Sequence, residues 1–154
     1  IFLDDDYTKE EIKLTKEISE YERGVLNMVL TYDHVENKLV SILSDYDLTM
    51  QQYNILRILR GVNPDSYSNN EIKERMLHKN SDASRFIDRL VEKDLALRNP
   101  CKEDRRRVEI SISETGLNLL DKIDKRIGDI ENILQNLSEE EVEQLNHLLE
   151  KIRE

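Results

Sequence analysis

Hydrophobic positions in the first third of the chain follow a helical period. Apolar and aromatic residues recur at alternating steps of three and four, which places them on one face of a long helix. A module of this size cannot cover the whole face, so the pattern predicts that another chain covers part of it. The face consists of Ile18, Tyr21, Val25, Met28, Tyr32, Val35, Leu39, Ile42 and Tyr46.

The middle of the chain has the pattern of a helix-turn-helix. A shorter apolar run from Tyr53 to Leu59 predicts a more buried helix, which Gly61 and Pro64 end in a loop. The spacing Ser68-Asn69-Asn70-Glu71 matches a capping box and predicts the start of a short helix. Asn80 or Ser81 is expected to cap the next helix, and two short helices joined by a tight turn are the helix-turn-helix motif. The inward side chains expected on the second of these helices are Ala83, Phe86, Ile87, Leu90 and Val91.

The period then changes from helical to alternating. Leu95 and Leu97 alternate with small or polar neighbours, as do the apolar residues from Val108 to Ile112, which is typical of half-buried strands. The two strands flank the segment Asn99 to Arg107, so the pattern predicts a β-hairpin with a long basic tip. Ser113 is expected to cap the helix that follows.

Two further apolar stripes complete the chain, and a second capping box at Ser138 to Glu141 starts the last helix. The predicted fold is therefore mainly α with a small β-hairpin wing. It is a winged helix-turn-helix between long N- and C-terminal dimerisation helices. We expect an N-terminal helical dimerisation region at 1–47, a DNA-binding domain at 48–113 and C-terminal dimerisation helices at 114–154.

The distribution of charge along the chain is more informative about partners than the net charge. The 154 residues carry a net charge of −10, which by itself argues against a nucleic-acid partner. Between Tyr67 and Ile112, however, 11 basic residues face 9 acidic ones, so the remainder carries a net charge of −12. The single cysteine, Cys101, excludes an intramolecular disulfide and fits a cytoplasmic protein. No apolar run reaches the ~18 residues of a membrane span, so no membrane association is expected.

Three segments together resemble the MarR family of bacterial transcription regulators. They are Leu48–Leu56, Asn80–Leu90 and Glu103–Gly116, and the last contains the Asp-x-Arg wing signature as Asp104-Arg105-Arg106. The similarity covers residues 20 to 137. It implies a homodimer that binds double-stranded DNA at a pseudo-palindromic operator, with recognition helices in major grooves ~34 Å apart. Most members of the family are repressors.

The resemblance also implies which residues contact DNA. The recognition helix would use Ser81, Asp82, Ser84, Arg85 and Arg89. The wing would use Lys102, Asp104, Arg105, Arg106 and Arg107. Arginine matches the two major-groove acceptors of guanine, whereas the family role of Arg106 is to enter the minor groove. A solvated helix face is the alternative for the first set, and Arg89 could instead pair with an acid such as Asp104 and brace the wing.

Many family members respond to a small aromatic or anionic effector bound beside the winged module. In this chain Tyr32, His34, Tyr46 and Tyr53 are the candidates for such a pocket, although tyrosines at helical spacing are also common core residues. No metal-ligand cluster or nucleophile-base pair stands out, so no cofactor and no enzymatic activity are expected. The alternative function is an acidic helical adaptor, or a DNA mimic, that binds another regulator.

Overall fold

The computed structural model of the chain describes residues 19–77, 82–100 and 108–154. These residues form six α-helices, three short strands and a 3₁₀ helix at Asn132–Leu134, and the helices and the two hairpin strands follow the predicted order. The helices are α1 (Glu20–Ser44), α2 (Met50–Val62), α3 (Asn69–Arg75), α4 (Ala83–Glu92), α5 (Glu114–Glu131) and α6 (Glu139–Ile152). The strands are β1 (Tyr67–Ser68), β2 (Ala96–Pro100) and β3 (Val108–Ile112). The mainly helical fold with a β-hairpin wing is confirmed.

The three strands form one antiparallel sheet in the order β1-β3-β2. The hairpin register pairs Ala96 with Ile112 and Pro100 with Val108. Strand β1 was not predicted. It has two residues, and it forms because Tyr67 pairs with Ile110 on the free edge of β3.

The chain divides into two compact units, residues 1–34 and 35–154. In the second unit a single hydrophobic core joins the helix-turn-helix to the sheet and to the first half of α5. Side chains with less than 2% exposure mark its centre, and α4 contributes two of them to it. These side chains are Leu43, Ile55, Leu56, Leu59, Ile72, Ile87, Leu90, Ile110, Leu120 and Ile123.

Capping boxes fix the starts of three helices. Those at Ser68 and Ser138 are confirmed. Each serine hydroxyl accepts a hydrogen bond from a first-turn amide, and the backbone amide of the same serine donates one to the carboxylate of the glutamate three residues later. Thr49 and Gln52 form a third, which was not predicted. For α4 the expected caps, Asn80 or Ser81, lie outside the described residues. Here the N-cap is Asp82, whose carboxylate accepts a hydrogen bond from the Arg85 amide at 3.3 Å.

The predicted cap of α5 is confirmed and forms a close junction with the end of the recognition helix. Ser113 Oγ accepts from the Gly116 amide at 2.9 Å and donates to the Asp94 carbonyl at 2.6 Å. The Leu95 carbonyl accepts from the Ser113 amide at 3.1 Å. A Cβ atom at Gly116 would lie 2.3 Å from that same carbonyl oxygen, so only glycine fits this close approach.

Helices α1 and α6 keep apolar side chains exposed in the single chain. On α1, Tyr21 is 90% exposed and Tyr32 is 55% exposed. No residue of α6 is buried, and Leu148 and Ile152 are more than half exposed. Among the described residues, none of the helices has the length and apolar character needed to cross a membrane.

Candidate nucleic-acid interface

Helix α4 is amphipathic, with one face in the core and the other open to solvent. Ala83, Ile87 and Leu90 are buried, whereas the side chains on the opposite face project outward. Because residues four apart share a helix face, Ser84 and Asp88 form one exposed row and Arg85 and Arg89 form a second. These four residues and Asp82 are exposed.

Three side-chain contacts hold this exposed helix, one at each of its turns. Asn69 Nδ2 at the start of α3 donates to Ser84 Oγ at 3.0 Å. Asp88 in the middle of α4 accepts from the Arg98 guanidinium of β2. At the C-terminal end, Lys93 Nζ pairs with Asp47 Oδ2 at 2.7 Å. Each contact ties α4 to a different element: the first helix of the motif, the wing strand, and the turn before α2.

Arg85 is the cation on this face that keeps its guanidinium available. Within residues 19–77, 82–100 and 108–154, no acid pairs with it, and it is exposed. Its backbone amide donates the hydrogen bond to the N-cap Asp82, so Arg85 lies in the first turn of the helix. Asp82 thus has a capping function in addition to its expected place in the groove-facing set, and Ser81 lies outside the described residues.

The sequence leaves open the alternative that Arg89 pairs with an acid such as Asp104 and braces the wing. Arg89 Nη1 pairs with Glu92 Oε2 of the same helix at 3.0 Å. The link from α4 to the wing instead joins Asp88 to Arg98. Asp104 lies outside the described residues.

The wing tip itself is outside the described part of the chain, and so are its candidate DNA ligands. The strands that lead into it and out of it are described, and they remain paired up to Pro100 and Val108. Cys101 belongs to the same segment. The residues whose roles remain predictions are Lys102, Asp104, Arg105, Arg106 and Arg107.

Two open hollows lie on the surface of the described winged module. One, of about 540 Å³, lies between α4 and the start of α2 and is lined by residues that include Arg85, Arg89 and Lys93. The other, of about 410 Å³, lies between the start of α3 and the wing strands, with Asn69 and Arg98 in its wall. Asn69 Oδ1 is buried without a hydrogen-bond partner among the described residues. The first of these hollows includes the exposed side chains of Arg85 and Arg89 on α4.

The candidate effector residues have different surroundings. Tyr32 and His34 are exposed on the first unit. In the second unit, Tyr46 is half-buried and Tyr53 is 6% exposed, so Tyr53 belongs to the core. The Tyr53 hydroxyl nevertheless has no hydrogen-bond partner among the described residues, and Arg57 lies over its ring at 5.9 Å.

Two ion pairs tie α5 to the winged module. Arg60 of α2 pairs with Asp124 at 2.5 Å, and Arg126 pairs with Asp45 at 2.6 Å. The hydrogen bond to Asp45, together with one to Tyr46, raises the pKa of Arg126. No cluster of three or more metal-ligating side chains occurs in the described segments.

Helices α2 to α4 together with the three-stranded sheet define a winged helix-turn-helix DNA-binding protein. The model of the MarR family matches residues 48–108. A MarR transcription factor from Planctomyces limnophilus is 33% identical, with a TM-score of 0.67 over 88% of this chain and 98% of that one. PecS of Dickeya dadantii, an HTH-type transcriptional regulator, is 28% identical over 120 residues, which are 77% of this chain and 72% of PecS. The MepR–DNA complex of S. aureus, at 24% identity, shares the fold, with a TM-score of 0.73 over 88% of this chain and 97% of MepR.

The chain belongs to the MarR family and is a transcription regulator. The resemblance read from its sequence is confirmed.

Proposed function

We propose that this regulator is a homodimeric repressor that binds a pseudo-palindromic operator in a bacterial cytoplasm. The observation that carries the proposal is the exposed face of α4. Ser84 and Arg85 point outward. Side-chain contacts tie the helix to α3, to β2 and to the turn before α2. A rigid helix with an available guanidinium is what major-groove readout requires, because arginine donates two hydrogen bonds to guanine.

The homodimer is supported by the apolar surface of the terminal helices. Exposed large hydrophobic residues recur on α1 and α6, and a second chain of the same sequence offers a matching surface. Two recognition helices related by a two-fold axis would then read two half-sites about one helical turn apart. Sedimentation at micromolar concentration tests this, and a well-behaved 18 kDa monomer would contradict it.

The MepR–DNA complex supports double-stranded DNA as the partner, since that protein shares the fold of this chain. Ser81, Asp82, Ser84, Arg85 and Arg89 form the proposed contact set on α4. The wing set remains Lys102, Asp104, Arg105, Arg106 and Arg107, and we propose it for the minor groove and the phosphates. The proposed role is one of binding, with no catalytic step.

We also propose that a small molecule regulates DNA binding. The support for this proposal is the Tyr53 hydroxyl, a buried polar group whose hydrogen-bonding capacity is unmet within the described residues. A small aromatic or anionic molecule with a polar atom could complete that bond. Release of operator DNA by salicylate or a similar aromatic acid, lost in Tyr53→Phe, is the expected result.

The decisive experiment selects bound sequences from a random duplex pool and then titrates one selected and one scrambled duplex at two salt concentrations. We expect enrichment of a two-fold symmetric sequence and a steep salt dependence of its affinity. Binding to no duplex would refute the proposal and favour the acidic adaptor. Placing the selected sequence across a promoter and measuring transcription tests the sign of control, and increased transcription would refute repression.

A further inference from the structure

We propose that Asp88 and Arg98 form a positioning pair that fixes the wing relative to the recognition helix, so that both engage one DNA site in a single register. The inference rests on the proposed DNA-binding function. Asp88 lies one turn after Ser84 on the same row of α4, and Arg98 lies on β2 two residues before Pro100. The pair therefore connects the turn that follows the DNA-reading residues with the strand that leads into the wing tip.

Core packing joins α4 to the wing strand on the side opposite the exposed row. Helix α4 packs on the core through Ala83, Ile87 and Leu90, which face away from the exposed row. The Asp88 and Arg98 side chains are 50% and 40% exposed, so their contact bridges the two elements at the surface. The hollow of about 410 Å³ beside Arg98 leaves room for the strand to shift when that contact is absent.

The sign of the Asp88 effect distinguishes positioning from plain electrostatics. Asp88 places a negative charge on the face that meets phosphates, so removing it should strengthen binding to every duplex if charge alone matters. Positioning gives the opposite result for the specific site. A misplaced wing loses its groove contact, and specific binding weakens although a repulsive charge is gone.

The test measures the affinity of full-length variants for the selected and scrambled duplexes. We expect Asp88→Asn and Arg98→Gln each to weaken specific binding roughly twofold to thirtyfold, the range for one exposed ion pair in each of two protomers. Asp88→Asn should leave scrambled-duplex affinity unchanged or stronger. The double variant should bind the selected site no more weakly than the weaker single variant, because both substitutions remove the same contact. Arg98→Lys should retain most of the affinity.

The charge reversal, Asp88→Arg combined with Arg98→Asp, keeps the net charge and re-forms the pair in the opposite sense. It should bind the selected site more tightly than either Asp88→Arg or Arg98→Asp alone. Glu92→Gln is the matched control because it removes the same charge from the same helix. Among the described residues the ion-pair partner of Glu92 is Arg89 of α4 itself, and specific binding should not fall. Thermal melting of each variant checks that the fold is kept.

The inference is overturned if Asp88→Asn binds the selected site as tightly as the wild type or more tightly. It is also overturned if the reversed pair binds more weakly than both single reversals, since Arg98 would then be a phosphate contact. Failure of the proposed function looks different, because the wild-type protein itself would select no sequence. That result would overturn both.

Discussion

Replacing Gly116 with alanine should destabilise the winged module although alanine is the better helix former. The new Cβ would lie 2.3 Å from the Leu95 carbonyl oxygen and 2.9 Å from Ile112 Cγ1. Ordinary van der Waals contacts of a Cβ atom begin near 3.4 Å, so the start of α5 must retreat by about 1 Å. The Leu95 carbonyl is backbone, and it already accepts the Ser113 amide hydrogen bond, so it cannot swing aside.

The magnitude follows from three opposing effects. Overpacking a close contact costs about 1–3 kcal/mol, and weakening the hydrogen bond from Ser113 costs about 1 kcal/mol. Alanine recovers about 1 kcal/mol of helix propensity. We therefore expect Gly116→Ala to lower the free energy of unfolding by about 1–3 kcal/mol and the melting temperature by roughly 2–12 °C.

The assay is thermal and urea unfolding followed by circular dichroism, with all proteins at one concentration because association shifts the apparent stability. Gly128→Ala is the matched control. It lies in the same helix, and an added Cβ there meets no atom within 4 Å, so it should stabilise by about 0.5–1 kcal/mol. If Gly116→Ala is as stable as the wild type while Gly128→Ala behaves as expected, the close approach does not limit the fold.

Four further outcomes are expected. Arg85→Ala should weaken specific binding by about 1–3 kcal/mol and relax selectivity at one base pair, read from competition among half-site variants. Arg106→Ala should weaken specific binding more than Arg105→Ala, with Arg106→Lys recovering part of the loss, since guanidinium enters narrow minor grooves more readily than ammonium. Leu148→Glu should shift the chain toward monomer in sedimentation, because it places a charge on the apolar face of α6. In Glu140→Gln the helicity of α6 should fall less steeply than in the wild type as the pH is lowered, measured by NMR of the backbone amides.

The Glu140 expectation depends on the sign of its shift. Hydrogen bonds from its own backbone amide and from the Ser138 hydroxyl lower the pKa of Glu140 below its ordinary value of 4.5. A lowered pKa stabilises the folded helix above pH ~4.5, and the contribution is lost as the pH falls through the folded pKa. Glu143→Gln, beyond the first turn of α6, is the control. Equal pH profiles for the two variants would contradict the argument.

The other three predictions have equally distinct failures. Equal weakening on every duplex would make Arg85 a phosphate contact. Equal losses for alanine at Arg105 and Arg106 would make the wing an undifferentiated basic patch. Asn146→Glu, at a polar position of α6, should leave the assembly unchanged. If it dissociates the protein as Leu148→Glu does, added charge alone is responsible.

Local pattern was sufficient to predict the order of the helices and the hairpin. The capping boxes at Ser68 and Ser138 were readable because all of their partners lie within four residues. Thr49 and Gln52 carry the same signature, and it was missed. Strand β1 could not be predicted, since two residues have no period and its pairing with Ile110 is a tertiary contact.

The site divides in the same way. Helical periodicity was sufficient to place Ser84 and Arg85 on the exposed face of α4, because Ala83 and Ile87 fix the inward direction. The pairing of Asp88 with Arg98 crosses from a helix to a strand. Sequence separation alone does not show which of several nearby acids and bases will meet. The partners of a contact between a helix and a strand could only be identified in three dimensions.

Burial is uneven along the chain, and this affects how folding and assembly depend on protein concentration. Buried hydrophobic residues lie between Ile42 and Ile123, and no described side chain beyond Ile123 toward the C-terminus is buried. The hydrophobic core that stabilises the fold therefore lies in the winged module, whereas α6 has no buried residue in the single chain. In the proposed homodimer, folding of the terminal helices and assembly are one event, governed by mass action. The cellular abundance of the chain would then set the fraction of molecules competent to read two half-sites, and dilution would release the operator without any effector.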